Sequence, residues 1–291
     1  MVRRIGKYVL IAVCAVVLLL AAALAWAWVV GPPAVNRGEV VAAPVECADN
    51  AAPVVVLPGG DGTVGETAGQ WKAVTDALRG AGFCALVFQA GVVDGNRWAG
   101  DVPAAAADLG AYIADVRKQT GAAKVAFVAH SAGSVVADYY LKVLHGAPDV
   151  DRAVFIAPET ARCDGAGFAR AMGLPAKPFP VFRAVPAIPA LLGRAVPAAA
   201  GSLQIAPGSK VFARIFESGR LSQPGVAYSV IATSHDQFAT PAPTCSFIEE
   251  PGVTNVLYDG AFPGAAPVDH STIRSSPDTA RWVVARLGAE D

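Results

Sequence analysis

The sequence predicts an α/β fold: a mostly parallel sheet of about six strands, helices on both faces, and an apolar cap inserted after one strand. Three observations predict it. Short apolar, often β-branched runs recur at residues 54–57, 84–88, 125–129, 153–157, 226–233 and 254–258. Stretches with apolar residues at helical spacing separate many of them, as parallel strands with right-handed crossovers require. The third observation is local. The run 124–136, KVAFVAHSAGSVV, reads as a buried strand, a sharp bend at Ser131 and the start of a helix whose apolar positions include Val135, Val136, Tyr139, Tyr140 and Val143.

Taken in order, the chain opens on a segment of its own. Arg3, Arg4 and Lys7 precede an uncharged run over residues 8–30, with Trp26 and Trp28 near its far end. Such a run is long enough to cross a bilayer as a helix. Basic residues before it keep the start cytoplasmic, and tryptophans suit the opposite interface. The other reading of residues 1–30 is a cleaved signal peptide, with Ala23 and Ala25 as a small-x-small site. Both readings carry the body out of the cytoplasm, either secreted or anchored to the membrane. Without those three cations, 20 basic residues face 24 acidic ones, a balance unlike that of a nucleic-acid binder.

Residues 31–50 read as a polar, proline-bearing linker with room for one weak strand at most, and residues 51–291 as a single domain. The strand at 54–57 runs into Pro58-Gly59-Gly60-Asp61-Gly62. No Gly-Lys-Ser or Gly-Lys-Thr follows, which rejects a P-loop. Glycines there let backbone amides face a substrate oxygen without side-chain obstruction, with Gly60 the leading candidate. A plain turn is the alternative.

Residues 65–78 read as a helix with Trp71, Val74 and Leu78 on one face, and 103–120 as a long helix stopped by Gly121. The helix after Ser131 should end at His145-Gly146. Periodicity fails over 159–208, which carries repeated prolines with Phe168, Met172, Leu174, Phe179, Phe182, Leu191 and Leu192. An apolar insertion on the carboxyl side of a strand reads as a cap over a site, contacting substrate or serving only as cover. A short helix at 210–216, the loop Ser234-His235-Asp236-Gln237, the loop holding Asp269-His270 and a closing helix over 272–287 complete the pattern.

The strand, bend and helix around Ser131 form the pattern of a nucleophile elbow. A serine there sits in strained backbone, so its neighbours two positions away, Ala129 and Gly133, must be small. Its hydroxyl needs an adjacent base, and that base needs an orienting acid. Of four histidines, His130 should point away from the bend, His145 should lie solvated at a helix end, and His235 falls in the loop expected to hold the acid. His270 follows the last strand and is the expected base. Asp236 follows the strand before it and is the expected acid, with Asp259 second and Asp269 too close in sequence to its own neighbour. A structural serine turn is the bland alternative.

Cys14 lies within the apolar run. Cys47, Cys84, Cys163 and Cys245 form an even set in an exported body, with three possible connectivities. Cys47 with Cys84 and Cys163 with Cys245 is the favoured pairing; four separate thiols is the alternative.

From about residue 53 to residue 287 the chain resembles the secreted bacterial class-2 triacylglycerol lipases of the α/β-hydrolase superfamily. The residues that carry the resemblance are PVVVLPGG, ADLGAYIADVRKQTGAAKVAFVAHSAGS, YYLKVLHGAPDVDRAVFIAP, APGSKVF, YSVIATSHDQFATP and DHSTIR. It implies a triad of Ser131, Asp236 and His270, oxyanion amides from Gly60 and Ala132, and a pair of early cysteines at Cys47 and Cys84. The sequence departs from the family in Pro58-Gly59, where His-Gly is usual, and in Ala-His-Ser-Ala-Gly-Ser, where Gly-His-Ser-Gln-Gly-Gly is more common.

The expectation is an exported serine carboxylic ester hydrolase acting on lipid-like acyl esters, with the membrane as a partner if the first segment is retained. A cell-envelope acyltransferase on the same fold, or a silent anchored binding module, are the alternatives. No metal, cofactor or nucleic acid is implied, and a monomer is expected.

Overall fold

The computed structural model describes residues 2–30, 35–171, 173, 179–185, 187–195 and 200–289. Its centre is a seven-stranded sheet in the order β1-β3-β2-β4-β5-β6-β7. The strands are β1 (Glu39–Ala42), β2 (Pro53–Leu57), β3 (Cys84–Val92), β4 (Val125–His130), β5 (Val150–Ile156), β6 (Ala227–Ala232) and β7 (Thr254–Leu257). β2 to β7 run parallel, and β1 pairs antiparallel with β3 at one edge.

Every residue of β2 and β4 is buried, so both faces of the sheet are covered. Alternation along a strand sends Val54 and Val56 to one face, Val55 and Leu57 to the other. On the first face they meet Trp71, Val74 and Leu78 of helix α2 (Thr67–Gly80) and Val283 and Leu287 of a closing helix over Pro277–Leu287. On the second they meet Leu109 and Ile113 of α3 (Val102–Thr120) and Val135 and Val136 of α4 (Ala132–Asp138). Each such side chain stabilises the fold by about 1.5–3 kcal/mol when fully buried, which is why short apolar strands suffice.

Helix ends follow their capping residues. Asp101 accepts from Ala104 N at 3.0 Å to start α3, and Gly121 stops it in the left-handed region at φ 72°. The closing helix starts at Pro277, later than position 272, because Ser276 caps it and a 3-10 turn, Ile273–Ser275, precedes it. α4 passes into a π-helical turn, Tyr139–Val143, and stops before His145-Gly146.

Among the described residues the sheet has seven strands, in keeping with the expected about six. One of them, β1, lies in the stretch read as linker, where its partners Phe88 and Gln89 belong to a β3 that continues four residues past the apolar run. Cys47 is disulfide-bonded to Cys84, the first residue of β3, and Cys163 is bonded to Cys245. Cys14 is free and exposed.

The cap region holds short helices: α5 (Ala166–Ala171), α6 (Phe179–Ala184), α7 (Ala187–Ala195) and α8 (Ala200–Gln204), followed by α9 (Lys210–Phe216). Pro180 and Pro189 fall in first turns, where a missing N–H is tolerated. Phe182, Leu203 and Ala206 form a small buried cluster with Ile188 and Leu192. Met172 and Leu174, and the side chains of Phe168 and Phe179, lie outside the described residues. Helix α1 (Val2–Val30) contains a span, Ile11–Val30, long and apolar enough to cross a membrane. Its far end meets α7, with Leu24 and Ala27 against Ala187 and Leu191. A one-turn α10 (Tyr258–Ala261) and α11 (Pro277–Leu287) end the chain's helices among the described residues.

Candidate active site

The carboxyl ends of the parallel strands deliver three side chains to one place. Ser131 follows β4 at φ 50°, ψ −128°, the strained bend expected at a nucleophile elbow. The bend survives because its neighbours are small. A Cβ on Gly133 would lie 2.4 Å from Leu57 O and 2.5 Å from Pro58 O, both backbone atoms, so only glycine lets α4 approach β2 this closely. Ala129, where glycine is the commoner choice, is accommodated fully buried inside β4.

His270 Nε2 lies 2.9 Å from Ser131 Oγ, and His270 Nδ1 lies 2.8 Å from Asp236 Oδ2. All three residues are buried. Asp236 is fixed by its other oxygen, which accepts from Phe238 N at 2.8 Å and Ala239 N at 2.7 Å. Burial works against a charged His270 imidazole. The hydrogen bond and charge of Asp236, with the charges of Asp61 and Glu159, outweigh it and raise the pKa above its ordinary 6.5.

The competing residues lie elsewhere. Asp259 accepts from Ser234 N and Oγ at 2.9 and 2.8 Å and sits 3.5 Å from the exposed His235 ring. Asp269 accepts from Ser271 N and Thr272 N, closing its own loop. His145 is exposed at φ 58°.

Gly60 and Ala132 face each other across the mouth: a Cβ on Gly60 would stand 3.3 Å from that of Ala132. Among the described residues neither of their amides donates a hydrogen bond. The loop bearing Gly60 is held from beneath by two residues that no motif in the sequence marks. Arg97 is 2 % exposed and donates through Nε to Gly59 O at 2.8 Å, while Trp98 Nε1 donates to Pro58 O at 2.6 Å. Arg97 also donates to Thr67 Oγ1 at 2.6 Å and Gln70 Oε1 at 2.8 Å. Charge-assisted bonds of this kind are roughly twice as strong as neutral ones.

Asp61 joins this loop to the one carrying His270. Its Oδ2 accepts from Ser271 Oγ and Arg274 Nη1, each at 2.6 Å. Burial would raise the Asp61 pKa, but the Ser271 hydrogen bond and the charges of Arg274 and His270 bring it below the ordinary carboxylate value. Ser271 and Arg274 fall within DHSTIR, so that signal was present in the sequence without a role attached.

Glu159 and Phe238 line a narrow cavity of about 20 Å³ with Cys163, Ser202 and Ile205. The Phe238 ring lies 5.3 Å from that of His270. Burial pushes the Glu159 carboxyl up, opposed by His270. A much wider cleft, about 1070 Å³, is lined by Lys142, Arg214, Arg220 and Tyr228; Ser131, Asp236 and His270 are not part of it.

No family model matches the chain, and no curated protein matches it. Solved structures do. Lipase B of Aspergillus fumigatus is 16% identical with a TM-score of 0.61, over 88% of this chain and 56% of that one. This chain therefore spans little more than half of that lipase's length. The enol-lactonase from Burkholderia xenovorans LB400 is 18% identical with a TM-score of 0.54, over 89% and 100%. Bacillus licheniformis lipase BlEst2 in mature form is 15% identical with a TM-score of 0.54, over 87% and 98%. At these identities the likeness is one of architecture, and it agrees with the strand order and the bend at Ser131: the chain has the α/β-hydrolase fold.

Proposed function

We propose that the protein is a serine carboxylic ester hydrolase, of lipase or esterase type, exported from the cytoplasm. The observation that carries this reading is the line from Asp236 through His270 to Ser131, at 2.8 and 2.9 Å, ending on a strained bend. His270 Nε2 takes the proton as Ser131 Oγ attacks the ester carbonyl carbon. Asp236 accepts from Nδ1–H, fixing the tautomer and favouring the imidazolium that forms. The developing oxyanion is met by the amides of Gly60 and Ala132; loss of one such donor costs on the order of a hundredfold in rate. His270 then returns the proton to the departing alcohol. Water, deprotonated by the same ring, attacks the acyl-enzyme carbonyl; the ring returns that proton to Ser131 Oγ as the acyl–oxygen bond breaks, and the acid leaves.

The resemblance to class-2 triacylglycerol lipases, the lipases among the structural neighbours and the apolar residues of the cap favour acyl chains over polar acids. Two disulfides and the apolar α1 are compatible with an extracytoplasmic body.

A fluorophosphonate probe tests the reading. Wild type is labelled and hydrolyses p-nitrophenyl esters, with a chain-length series giving the acyl preference. Ser131→Ala does neither while keeping its thermal unfolding. A folded wild type that resists the probe overturns the assignment.

A further inference from the structure

The segment joining α1 to the body is short, and it lands on the catalytic edge of the sheet. Val30 and Asn36 are six residues apart, a reach of about 20 Å at full extension. Asn36 is already fixed: its carbonyl oxygen accepts from Asp101 N at 2.8 Å, and the next residue, Arg37, pairs with Asp108. Asp101 ends the loop after β3, the same loop from which Arg97 and Trp98 hold Gly59 and Pro58. Strands β2 to β7 are parallel, so this loop, the Ser131 bend and the loops of Asp236 and His270 share one edge.

The cap lies on that edge as well. Gln204 of α8 accepts from Val102 N at 2.8 Å and donates to Asp101 Oδ1 at 2.5 Å. The end of α1 packs on α7 of the same cap. Exposed large apolar side chains include Val181 on α6 of the cap, 50% exposed, and Phe238, 42% exposed and beside His270.

We propose that α1, retained in a bilayer, holds the catalytic edge against the membrane, and that the enzyme takes its acyl esters from the leaflet that anchors it. This rests on the ester hydrolase reading above. A body of this size is about 45 Å across, from a radius of gyration near 18 Å. Turning the catalytic edge away would carry Asn36 most of that distance from the bilayer, farther than the tether reaches. Facing the membrane, Val181 and Phe238 enter the acyl-headgroup boundary, where exposed apolar surface leaves water.

The test uses the full chain reconstituted in phosphatidylcholine vesicles that also carry a fluorogenic long-chain ester, with a short water-soluble ester measured in parallel. Inserting twenty Gly/Ser residues between Pro33 and Ala34 is expected to lower hydrolysis of the vesicle-borne ester about tenfold, since local concentration falls as roughly the −3/2 power of tether length. Hydrolysis of the soluble ester and labelling by fluorophosphonate should not change. In the unlengthened chain, a bimane on Val181→Cys, in a Cys14→Ser background, should be quenched by nitroxide-bearing lipid. Vesicle-ester hydrolysis that ignores tether length, an unquenched Val181 label, or isolation of the native protein with α1 cleaved each overturns the proposal. A chain that resists fluorophosphonate yet shows the quenching overturns the hydrolase reading alone and leaves the orientation supported.

Discussion

His130 Nε2 lies 2.8 Å from the backbone carbonyl oxygen of His270, and the two rings are 4.8 Å apart. The neighbour of the candidate nucleophile thus points to the far side of its strand and supports the backbone of the candidate base. Complete burial pushes the His130 pKa down to about 3, so the ring is neutral, with Nε2–H donating and Nδ1 bare. Gly59 packs on that bare nitrogen: a Cβ there would stand 2.3 Å from it. The Gly59-Gly60 loop, strand β4 and the His270 loop are therefore packed as one unit around a single imidazole.

Asp61 extends the same unit and adds a charge. With His270 as the proposed base, which works only unprotonated, kcat/KM should rise with pH through a value above 6.5, the direction in which Asp236, Asp61 and Glu159 move it against burial. Asp61→Asn removes one of these anions, leaving Asp236, Glu159 and Asp269 facing His270 and Arg274 less compensated. The acid limb should move to lower pH. A limb that stays put or moves up in a kcat/KM–pH profile counts against this electrostatic role. Ser271→Ala keeps the charge and removes one hydrogen bond, so it should lower the rate with little movement of the limb.

Asp236 and Asp259 offer a clean comparison of the two carboxylates considered for the acid. Asp236→Asn should lower kcat on the order of 10⁴-fold by favouring the wrong imidazole tautomer. Asp259→Asn should leave kcat near wild type, because its bonds go to Ser234. Steady-state kinetics on one soluble ester decides it.

Gly133→Ala should destabilise the fold by about 1–3 kcal/mol or more, since the added methyl meets two backbone carbonyls that cannot swing aside. Gly69→Ala in α2 is the control: nothing lies within 4 Å of its Cβ, and helix propensity favours alanine by up to about 1 kcal/mol. Urea midpoints of the two variants should move in opposite directions.

Asp138 is 1% exposed, and neither carboxyl oxygen has a hydrogen-bond partner among the described residues. Burial, partly offset by Lys142, holds its pKa well above 3.8. The folded chain then keeps a proton that the unfolded chain releases above about pH 4. Stability is greatest below that pH and falls as pH rises toward the folded value. Asp138→Asn should raise the melting temperature near pH 8 and change it little near pH 3; equal melting curves at pH 8 would count against a buried neutral carboxyl.

Cys47→Ser with Cys84→Ser opens a loop of 37 residues' separation. Chain entropy puts the cost at about 4 kcal/mol, read as a lower denaturation midpoint for the double variant.

Much of this architecture is legible in the amino-acid sequence. Ser131, Asp236 and His270 follow strands β4, β6 and β7 in chain order, and each strand announces itself as a compact apolar run. The edge strand β1 does not: Glu39–Ala42 is mostly exposed, and its partner stretch in β3 is interrupted by Gln89 and Gly91. Arg97 stays silent for a different reason. A lone arginine in Asn-Arg-Trp-Ala-Gly has no meaning until the end of β3 carries it under Gly59. The cap hides its helices because Pro180 and Pro189 read as breakers, and only helix registry shows them to be first-turn residues.

The antiparallel ladder of β1 on β3 also sets where mechanical load goes. With α1 held in a bilayer as proposed, pull transmitted along the chain enters the body at Asn36 and meets, within a few residues, the backbone bonds to β3 and then the Cys47–Cys84 crosslink. Asp236 and His270 lie some two hundred residues further along, on the opposite half of the sheet. The ladder and the crosslink thus stand, along the chain, between such a pull and the strands that carry these two residues.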